Sequence, residues 1–222
     1  MDRPNVIIIN SAMSADGKIS SFERRQVRIS GHEDLDRVGL LRARSDAIMV
    51  GVGTVLADDP GLRVKSQELK KMRSDRGLPE DPLRVVVDSR ARTPLDAEVL
   101  GEGCILAVSK AASEERVAPL RKRCEIVVAG DEKVDLAELM SILKRRGVDR
   151  IMVEGGATLN WSLVEAGLVD EISVYVGPLI IGGEGAPTLV DGPGFCGDFP
   201  RLELISADLI DGGVLLRWRV LP

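Results

Sequence analysis

The sequence predicts an α/β protein with a mainly parallel central sheet, helices that flank it, and an antiparallel hairpin at the C-terminal end. Short β-rich runs recur along the chain, and helical patterns lie between several of them. The last two β-rich runs are separated by Asp211-Gly212-Gly213, a typical hairpin turn. A length of 222 residues favours one domain, so we expect residues 1–222 to form a single domain.

Nine runs predict strands by their content of β-branched and other apolar residues. In chain order they are Asn5–Ser11, Ala47–Val52, Leu83–Asp88, Cys104–Val108, Glu125–Ala129, Arg150–Glu154, Glu171–Val176, Leu202–Ile210 and Val214–Val220.

Capping boxes, in which a Ser or Asp precedes a Glu by three residues, predict the starts of two helices. These pairs are Ser30 with Glu33 and Asp135 with Glu138. A third helix is predicted from about Ala157 to Gly167, because glycine commonly ends helices. The charged segment Lys65–Pro82 predicts a solvated, partly helical excursion.

Charge and composition exclude several kinds of site. The chain has 30 Lys and Arg against 35 Asp and Glu, a formal net charge of −5, whereas proteins that wrap nucleic acid are normally basic. Aromatic residues make up 3%, too few for a surface that stacks single-stranded nucleic acid. His32 is the only histidine, so one chain cannot build a multi-histidine metal site. We expect neither a nucleic-acid partner nor a metal.

The cysteines and the N-terminal residues indicate where the protein works. Cys104, Cys124 and Cys196 are widely spaced and form no C-x-x-C pair, which argues against a disulfide scaffold and a zinc ribbon. The apolar run Val6–Ile9 is too short for a signal or membrane-spanning segment. We expect a cytoplasmic protein with no membrane partner.

Ligands of open α/β sheets bind beyond the carboxyl ends of the strands, so the residues after each strand are candidate site residues. The second strand leads into Gly51–Pro60, where glycines allow close approach and Thr54 and Asp58 can bind polar groups. The sixth leads through Glu154 into Gly155–Gly156 and a helix start that can hold an anion. Each segment can equally be a turn with a structural role.

A third candidate segment follows the third strand. Ser89, Arg90 and Arg92 combine a hydroxyl with two guanidinium groups, which suits a phosphomonoester such as the 2′-phosphate of NADP. A solvated loop is the alternative. Asp16, in a turn after the first strand, and Arg42, near the end of the first helix, also have structural explanations as turn and helix-capping residues.

Several segments, taken together, match one known family. They are Ser14–Lys18, Ser30–Gly31, Leu41–Ala43, Gly51–Pro60, Val87–Ser89 and Glu154–Gly156. The chain resembles the pyrimidine reductases of the riboflavin pathway, and it is similar to the reductase half of the bacterial bifunctional deaminase–reductases. The match covers nearly the whole chain, and its G-x-G-T-V-L-x-D-D-P segment with the later E-G-G is specific.

The resemblance implies a dihydrofolate-reductase-like fold, NADPH as the cofactor with NADH as the alternative, and a homodimer. The implied cofactor contacts are Ala12, Thr54, Asp58, Ser89, Arg90, Gly155, Gly156, Ala157, Thr158 and Leu159. The implied substrate contacts are Arg42, Leu62, Lys65 and Glu154. Whether Arg63 or Lys65 meets the substrate phosphate stays open.

The implied reaction reduces the side chain of a pyrimidine ribosylamine 5′-phosphate to the ribitylamino form, by hydride transfer to the ribose C1′. Asp16, which the resemblance places near the nicotinamide, and Glu154 are the predicted catalytic residues. The proton donor stays open among these two, Lys65 and a bound water. Two alternatives are a dihydrofolate-reductase-type pterin reductase and a non-catalytic nucleotide-binding protein of the same fold.

The C-terminal hairpin is predicted to contribute to the dimer. Alternation puts Leu215 on one face of its last strand and Leu216 with Trp218 on the other, so both faces need cover. A second subunit can cover one of them. The alternative is that Ile172, Val174 and the preceding helices cover the strand within the monomer.

Overall fold

The computed structural model describes residues 2–25 and 27–222, and within these ranges it has nine strands and six helices. In chain order they are β1 (Val6–Ser14), α1 (His32–Ala43), β2 (Ala47–Gly51), α2 (Val52–Asp58), α3 (Gln67–Ser74), β3 (Leu83–Val87), β4 (Cys104–Val108), α4 (Glu114–Leu120), β5 (Glu125–Val128), α5 (Leu136–Arg145), β6 (Arg150–Val153), α6 (Ala157–Glu165), β7 (Glu171–Gly177), β8 (Leu202–Ile210) and β9 (Gly213–Val220). All nine predicted strands are present. Among the described helices, none is long and apolar enough to cross a membrane.

The chain divides into two compact units. Unit 1 contains Met1–Asn5 and Gly39–Met152, and unit 2 contains Val6–Val38 and Val153–Pro222. The single domain over residues 1–222 stays a prediction.

Unit 1 has the strand order β5-β4-β3-β2-β6. The pairs β2–β3, β3–β4 and β4–β5 are parallel, so the carboxyl ends of these strands lie at one edge. Its apolar core includes Val50 of β2, Val86 of β3, Leu106 of β4 and Leu120 of α4. The loops that carry the candidate residues therefore start from a rigid, buried set of strand ends.

Unit 2 has the strand order β1-β7-β9-β8, with β1–β7 parallel and the other two pairs antiparallel. The two-residue turn between β8 and β9 has positive φ at both positions, 49° at Asp211 and 73° at Gly212. Positive φ at both positions is the backbone of a type I′ turn, which suits hairpins because it matches the twist of the strands. The predicted α/β class, with mainly parallel strands and a C-terminal antiparallel hairpin, is confirmed.

The two predicted capping boxes have different outcomes. Helix α5 begins as predicted, because the Asp135 carboxylate accepts a first-turn N–H at 2.9 Å. Helix α1 also begins close to the predicted start, at His32, but the predicted cap is wrong, since the hydroxyl of Ser30 donates to the carboxylate of Asp34 instead. The N–H groups of Glu33 and Asp34 donate to the carboxylate of Asp211, at 3.3 and 2.8 Å. The cap of α1 thus comes from the hairpin turn.

Two short helices, α2 and α4, are missing from the sequence prediction. The sequence predicts no helix in the glycine-containing segment after β2, but the segment forms α2 because Val52 and Val55 bury one side of a helix. The helix ends at Asp58, and its C-cap residue Asp59 has a left-handed backbone with φ of 41° and is followed by Pro60. Glycine and short length weaken the periodic signal that sequence analysis uses.

The excursion Lys65–Pro82 contains α3, as predicted, and one buried side chain holds it. Arg73 is 2% exposed, and its guanidinium donates to the carbonyl oxygens of Pro79, Ala43 and Ser45 at 2.7, 3.0 and 2.7 Å. Ala43 is the last residue of helix α1 and Ser45 follows the helix. Carbonyl oxygens at the C-terminal end of a helix lack helical partners. Arg73 therefore fastens the excursion to the body of unit 1.

Candidate active site

Strand β1 ends in a tight turn that fixes the carboxylate of Asp16. The hydroxyl of buried Ser14 donates to Asp16 Oδ1 at 2.5 Å, and the N–H groups of Ile181 and Gly182 donate to Oδ1 and Oδ2 at 3.1 and 2.7 Å. These bonds, above all that from Ser14, lower the pKa of Asp16 from 3.8 to about 2. Asp16 is therefore ionised at neutral pH and anchors the backbone that follows β7.

Residues 179–191, the loop after β7, connect this turn with the start of α6. Lys18 pairs with Thr188 in an antiparallel bridge, and its ammonium donates to a carbonyl oxygen of the loop at 3.0 Å. The hydroxyl of Thr188 donates to Asp191 at 2.5 Å, and the N–H of Asp191 donates to the carbonyl of Ala157 at 3.2 Å. The sequence analysis missed this loop, although its glycine pair was a signal.

The glycine turn after β6 has the backbone that an anion site requires. Gly155 has a φ of 92°, in the left-handed region that favours glycine, and Gly156 is the N-cap of α6. The first N–H groups of a helix lack helical partners, and Gly156 supplies no side-chain cap. Ala157 and Leu159 are buried and Thr158 is exposed, so the first two can meet a ligand mainly through their backbone.

Two further predicted residues of unit 2 lie at or before strand ends. Ala12 is half-buried in β1, level with Tyr175 of β7. Glu154 is half-buried and directly follows β6, next to the glycine turn. The structure therefore places a carboxylate beside the candidate anion site.

Helix α2 presents its predicted ligand residues together. Thr54 and Asp58 are four residues apart, so they share one face of the helix. Thr54 is half-buried, and partial desolvation raises the pKa of the Asp58 carboxyl. Leu56 is 53% exposed, but it lies two residues from each of them and therefore on the opposite side of the helix. The face that carries Thr54 and Asp58 thus offers a hydroxyl and a carboxyl, which suits a ligand with polar groups.

Asp88, directly after β3, is a fully buried carboxylate that shapes the candidate phosphate site. It accepts the N–H and hydroxyl of Thr93, at 2.8 and 2.9 Å, and so closes the turn between them. The hydroxyl oxygen of Ser89 accepts the N–H of Val134 at 3.0 Å, and the carbonyl of Ser89 accepts the hydroxyl of Ser109 at 2.8 Å. Ser89 therefore joins the loops that follow three neighbouring strands.

The cations of this region are exposed and already paired. Arg90 donates to Glu132 Oε2 at 2.9 Å, and Lys110, which the sequence analysis missed, donates to Asp131 Oδ1 at 2.8 Å. Surface ion pairs contribute little free energy because water screens them. A phosphate dianion can therefore replace either carboxylate at small cost.

The predicted substrate cations lie on one side of unit 1. Arg42, in the last turn of α1, donates to the carbonyl oxygen of Arg63 at 3.0 Å, and both Arg63 and Lys65 are exposed. Leu62 is 2% exposed and packs in the core with a φ of 51°. The expectation that the Leu62 side chain faces the substrate therefore lacks support from its placement.

Comparison with known proteins identifies the family. The sequence profile of the RibD C-terminal domain matches residues 5–216. The chain belongs to this family. It is 53% identical over 191 residues to the 2,5-diamino-6-ribosylamino-4(3H)-pyrimidinone 5′-phosphate reductase of Archaeoglobus fulgidus, which covers 85% of this chain and 87% of that protein. The protein of the same name from Methanothermobacter thermautotrophicus is 50% identical over 218 residues, 96% and 97% of the two chains.

Solved structures show that this RibD-family chain has the predicted dihydrofolate-reductase-like fold. A pyrimidine reductase-like protein from Corynebacterium diphtheriae matches with a TM-score of 0.87 at 19% identity, over 98% of this chain and 92% of that one. Dihydrofolate reductase from Enterococcus faecalis matches with a TM-score of 0.51 at 10% identity, over 99% of both. Family membership also confirms the predicted class of function, a reductase enzyme of riboflavin biosynthesis.

Proposed function

We propose that this chain reduces 2,5-diamino-6-ribosylamino-4(3H)-pyrimidinone 5′-phosphate to its ribitylamino form with NADPH. The main support is the 50% identity with a relative of that name along 96% of this chain. Bound NADPH would supply a hydride to C1′ of the opened ribosylamine, whose nitrogen takes up a proton. The chain's own residues bind both molecules, orient them and handle that proton.

The glycine turn and α6 are the proposed cradle of the cofactor pyrophosphate. The N-terminal end of α6 carries a partial positive charge, and Gly156 leaves its first N–H groups without a side-chain cap. Ala12, Thr54 and Asp58 are the proposed partners of other cofactor groups. Ser89 is the proposed donor to the 2′-phosphate, together with Arg90.

Cofactor choice tests the phosphate assignment. Arg90→Ala removes one charge-assisted phosphate contact, so NADPH should bind about 10- to 100-fold more weakly while NADH affinity stays unchanged. Titration of both cofactors by calorimetry measures this. Arg121→Ala is the matched control, because Arg121 is also exposed and paired, with Glu114 at 2.6 Å. Equal affinities of the native protein for NADPH and NADH would contradict the assignment.

Arg42 with Arg63 or Lys65 is the proposed site for the substrate phosphate. The bond from Arg42 to the Arg63 carbonyl keeps the guanidinium next to this basic segment. Leu62 is proposed to contact the substrate through its backbone, because its side chain is buried in the core.

Glu154 is the preferred proton-handling group. Asp16 is held ionised by three hydrogen bonds, which suits an anchor of the loop near the nicotinamide better than a proton donor. Glu154 directly precedes the glycine turn and is only half-buried. Lys65 and a bound water remain the alternatives.

A direct assay tests the proposed reaction. The purified protein should consume NADPH, followed by its absorbance, when the pyrimidine substrate is added, and the product should carry a ribityl group by mass spectrometry. Dihydrofolate in place of the pyrimidine should leave NADPH unchanged. NADPH consumption with dihydrofolate alone would instead favour the pterin reductase alternative.

We infer that the active form is a cytoplasmic homodimer joined through the β8–β9 hairpin. One face of the hairpin is entirely apolar across four cross-strand pairs. The pairs are Leu202 with Val220, Leu204 with Trp218, Ala207 with Leu216, and Leu209 with Val214. Leu204 is 50% and Leu209 87% exposed, and among the strands that the structure describes β8 stands at the end of the order, with β9 on one side and none on the other. A second copy offers the same apolar face, as a two-fold interface requires.

Light scattering tests the assembly. The native protein should have twice the 24.0 kDa mass of one chain, and Leu204→Glu should reduce it to one chain because a charge enters the apolar face. Leu95→Glu is the matched control, since Leu95 is 48% exposed in unit 1. A native mass of 24.0 kDa at micromolar concentration would exclude the dimer.

A further inference from the structure

Three side chains form a row across the amino ends of β3, β4 and β5, a region the proposed reaction does not use. Arg84 pairs in register with Cys104, and the pairing of Ile105 with Glu125 puts Cys124 level with Cys104. Residues level with each other on parallel strands point to the same face of the sheet. The fold therefore places two thiols side by side next to a guanidinium.

The two thiols differ in burial and in acidity. Cys104 is 3% exposed and Cys124 is half-buried. A hydrogen bond between the two thiols lowers the pKa of Cys124, while that bond and burial raise the pKa of Cys104. The Cys124 thiol also donates to the carbonyl oxygen of Leu120 at 3.5 Å. Cys124 is thus the more accessible and more readily ionised thiol of the pair.

Arg84 places a positive charge next to the thiols, and the hydrogen-bonding capacity of its guanidinium is only partly satisfied. It is 4% exposed, and one nitrogen donates to the carbonyl oxygen of Glu102. Its Nε is buried and has no hydrogen-bond partner within residues 2–25 and 27–222. The guanidinium favours ionisation of Cys104, in opposition to burial. This charge would stabilise the Cys104 thiolate as it forms.

We propose that Cys104 and Cys124 are a reversible dithiol–disulfide pair. Neighbouring strands are about 4.8 Å apart, and disulfides join Cα atoms roughly 4.4–6.8 Å apart, so the bond needs little backbone movement. The oxidant is a low-molecular-weight disulfide such as glutathione disulfide. The Cys124 thiolate attacks one of its sulfurs and releases one thiol; the Cys104 thiolate then attacks Cys124 and releases the second. Two electrons and two protons pass from the protein to the oxidant.

The bond would close a loop around α4 at the amino ends of the strands. The cofactor candidates Ser89 and Arg90 follow the carboxyl end of β3. Oxidation should therefore leave NADPH binding unchanged. It should raise the Tm by roughly 5–10 °C, because the closed loop restricts the unfolded chain. A thiol pair that oxidises at the active site would instead alter cofactor binding.

Thiol counting and mass spectrometry test the pair without any assay of activity. The full-length protein is incubated with glutathione disulfide, denatured, and titrated with a thiol reagent. Free thiols should fall from three to one, the mass should fall by two hydrogen atoms, and a peptide map should link Cys104 to Cys124. Dithiothreitol should restore all three thiols. Loss of the Cys196 thiol alone, or a lasting glutathione adduct on Cys124, would overturn the proposal.

Two variants separate the pair from the exposed third cysteine. Cys196→Ser should still lose two hydrogen atoms on oxidation, because Cys196 is exposed and outside the row. Cys124→Ser should lose none and should show no rise in Tm. Loss of two hydrogen atoms in Cys124→Ser would mean that Cys104 pairs with Cys196, and this would also overturn the proposal.

Discussion

Gly156→Val should abolish NADPH binding and leave the fold intact. The backbone of Gly156, with φ of −81° and ψ of −173°, is accessible to any residue, so the variant should fold. Its branched side chain would occupy the space above the first N–H groups of α6, where the pyrophosphate is proposed to lie. We expect NADPH affinity to fall by roughly 100-fold or more, which is about 2.7 kcal/mol or more.

Calorimetric titration measures the affinity, and a urea unfolding curve checks the fold. Gly156→Ala adds one carbon where valine adds three, so it should show an intermediate loss of affinity. A folded Gly156→Val variant with native affinity for NADPH would reduce the glycine turn to a structural connection between β6 and α6.

Arg73→Ala should lower the free energy of unfolding by about 3–5 kcal/mol. The change leaves the buried carbonyl oxygens of Ala43 and Ser45 without their donor and opens a cavity. Arg73→Lys should recover only part of the loss, because one ammonium cannot reach three carbonyls in the planar geometry of a guanidinium.

Urea unfolding followed by circular dichroism measures the effect of Arg73. Arg76→Ala is the control, since Arg76 lies three residues further on and is exposed, and it should change stability by less than about 0.5 kcal/mol. If Arg73→Ala and Arg76→Ala unfold at the same urea concentration, the buried hydrogen bonds of Arg73 contribute nothing net.

The parts of the fold that the sequence predicts well depend on local interactions. The nine strands follow from β-branched runs, and the start of α5 follows from Asp135, whose cap lies within one helical turn. The start of α1 shows the limit. Ser30 has the local capping pattern, yet Asp211 takes that role from 177 positions beyond Asp34. A pattern within four residues carries no information about such a partner.

The candidate site also contains residues that local sequence patterns indicate and residues whose role depends on distant segments of the chain. The glycine turn at Gly155 and the residues Ser89 and Thr54 could be found, because glycines and hydroxyls directly follow predicted strands. The glycine pair of the 179–191 loop was visible as well, but the contacts of this loop and of Lys110 could not be predicted, because they depend on pairing between distant segments, such as that of Lys18 with Thr188. Nor could the sequence reveal that Asp16 anchors a backbone 165 residues away.

The Asp211 cap also bears on the order in which the protein is made. Helix α1 is synthesised early, but its first N–H groups receive their acceptor only when the hairpin turn has left the ribosome. Strand β9, which separates β7 from β8, is later still. Unit 2 is thus completed only after β9 has been made, whereas the continuous segment of unit 1 ends at Met152. During translation, unit 1 can bury its core before the first turn of α1 has received its acceptor.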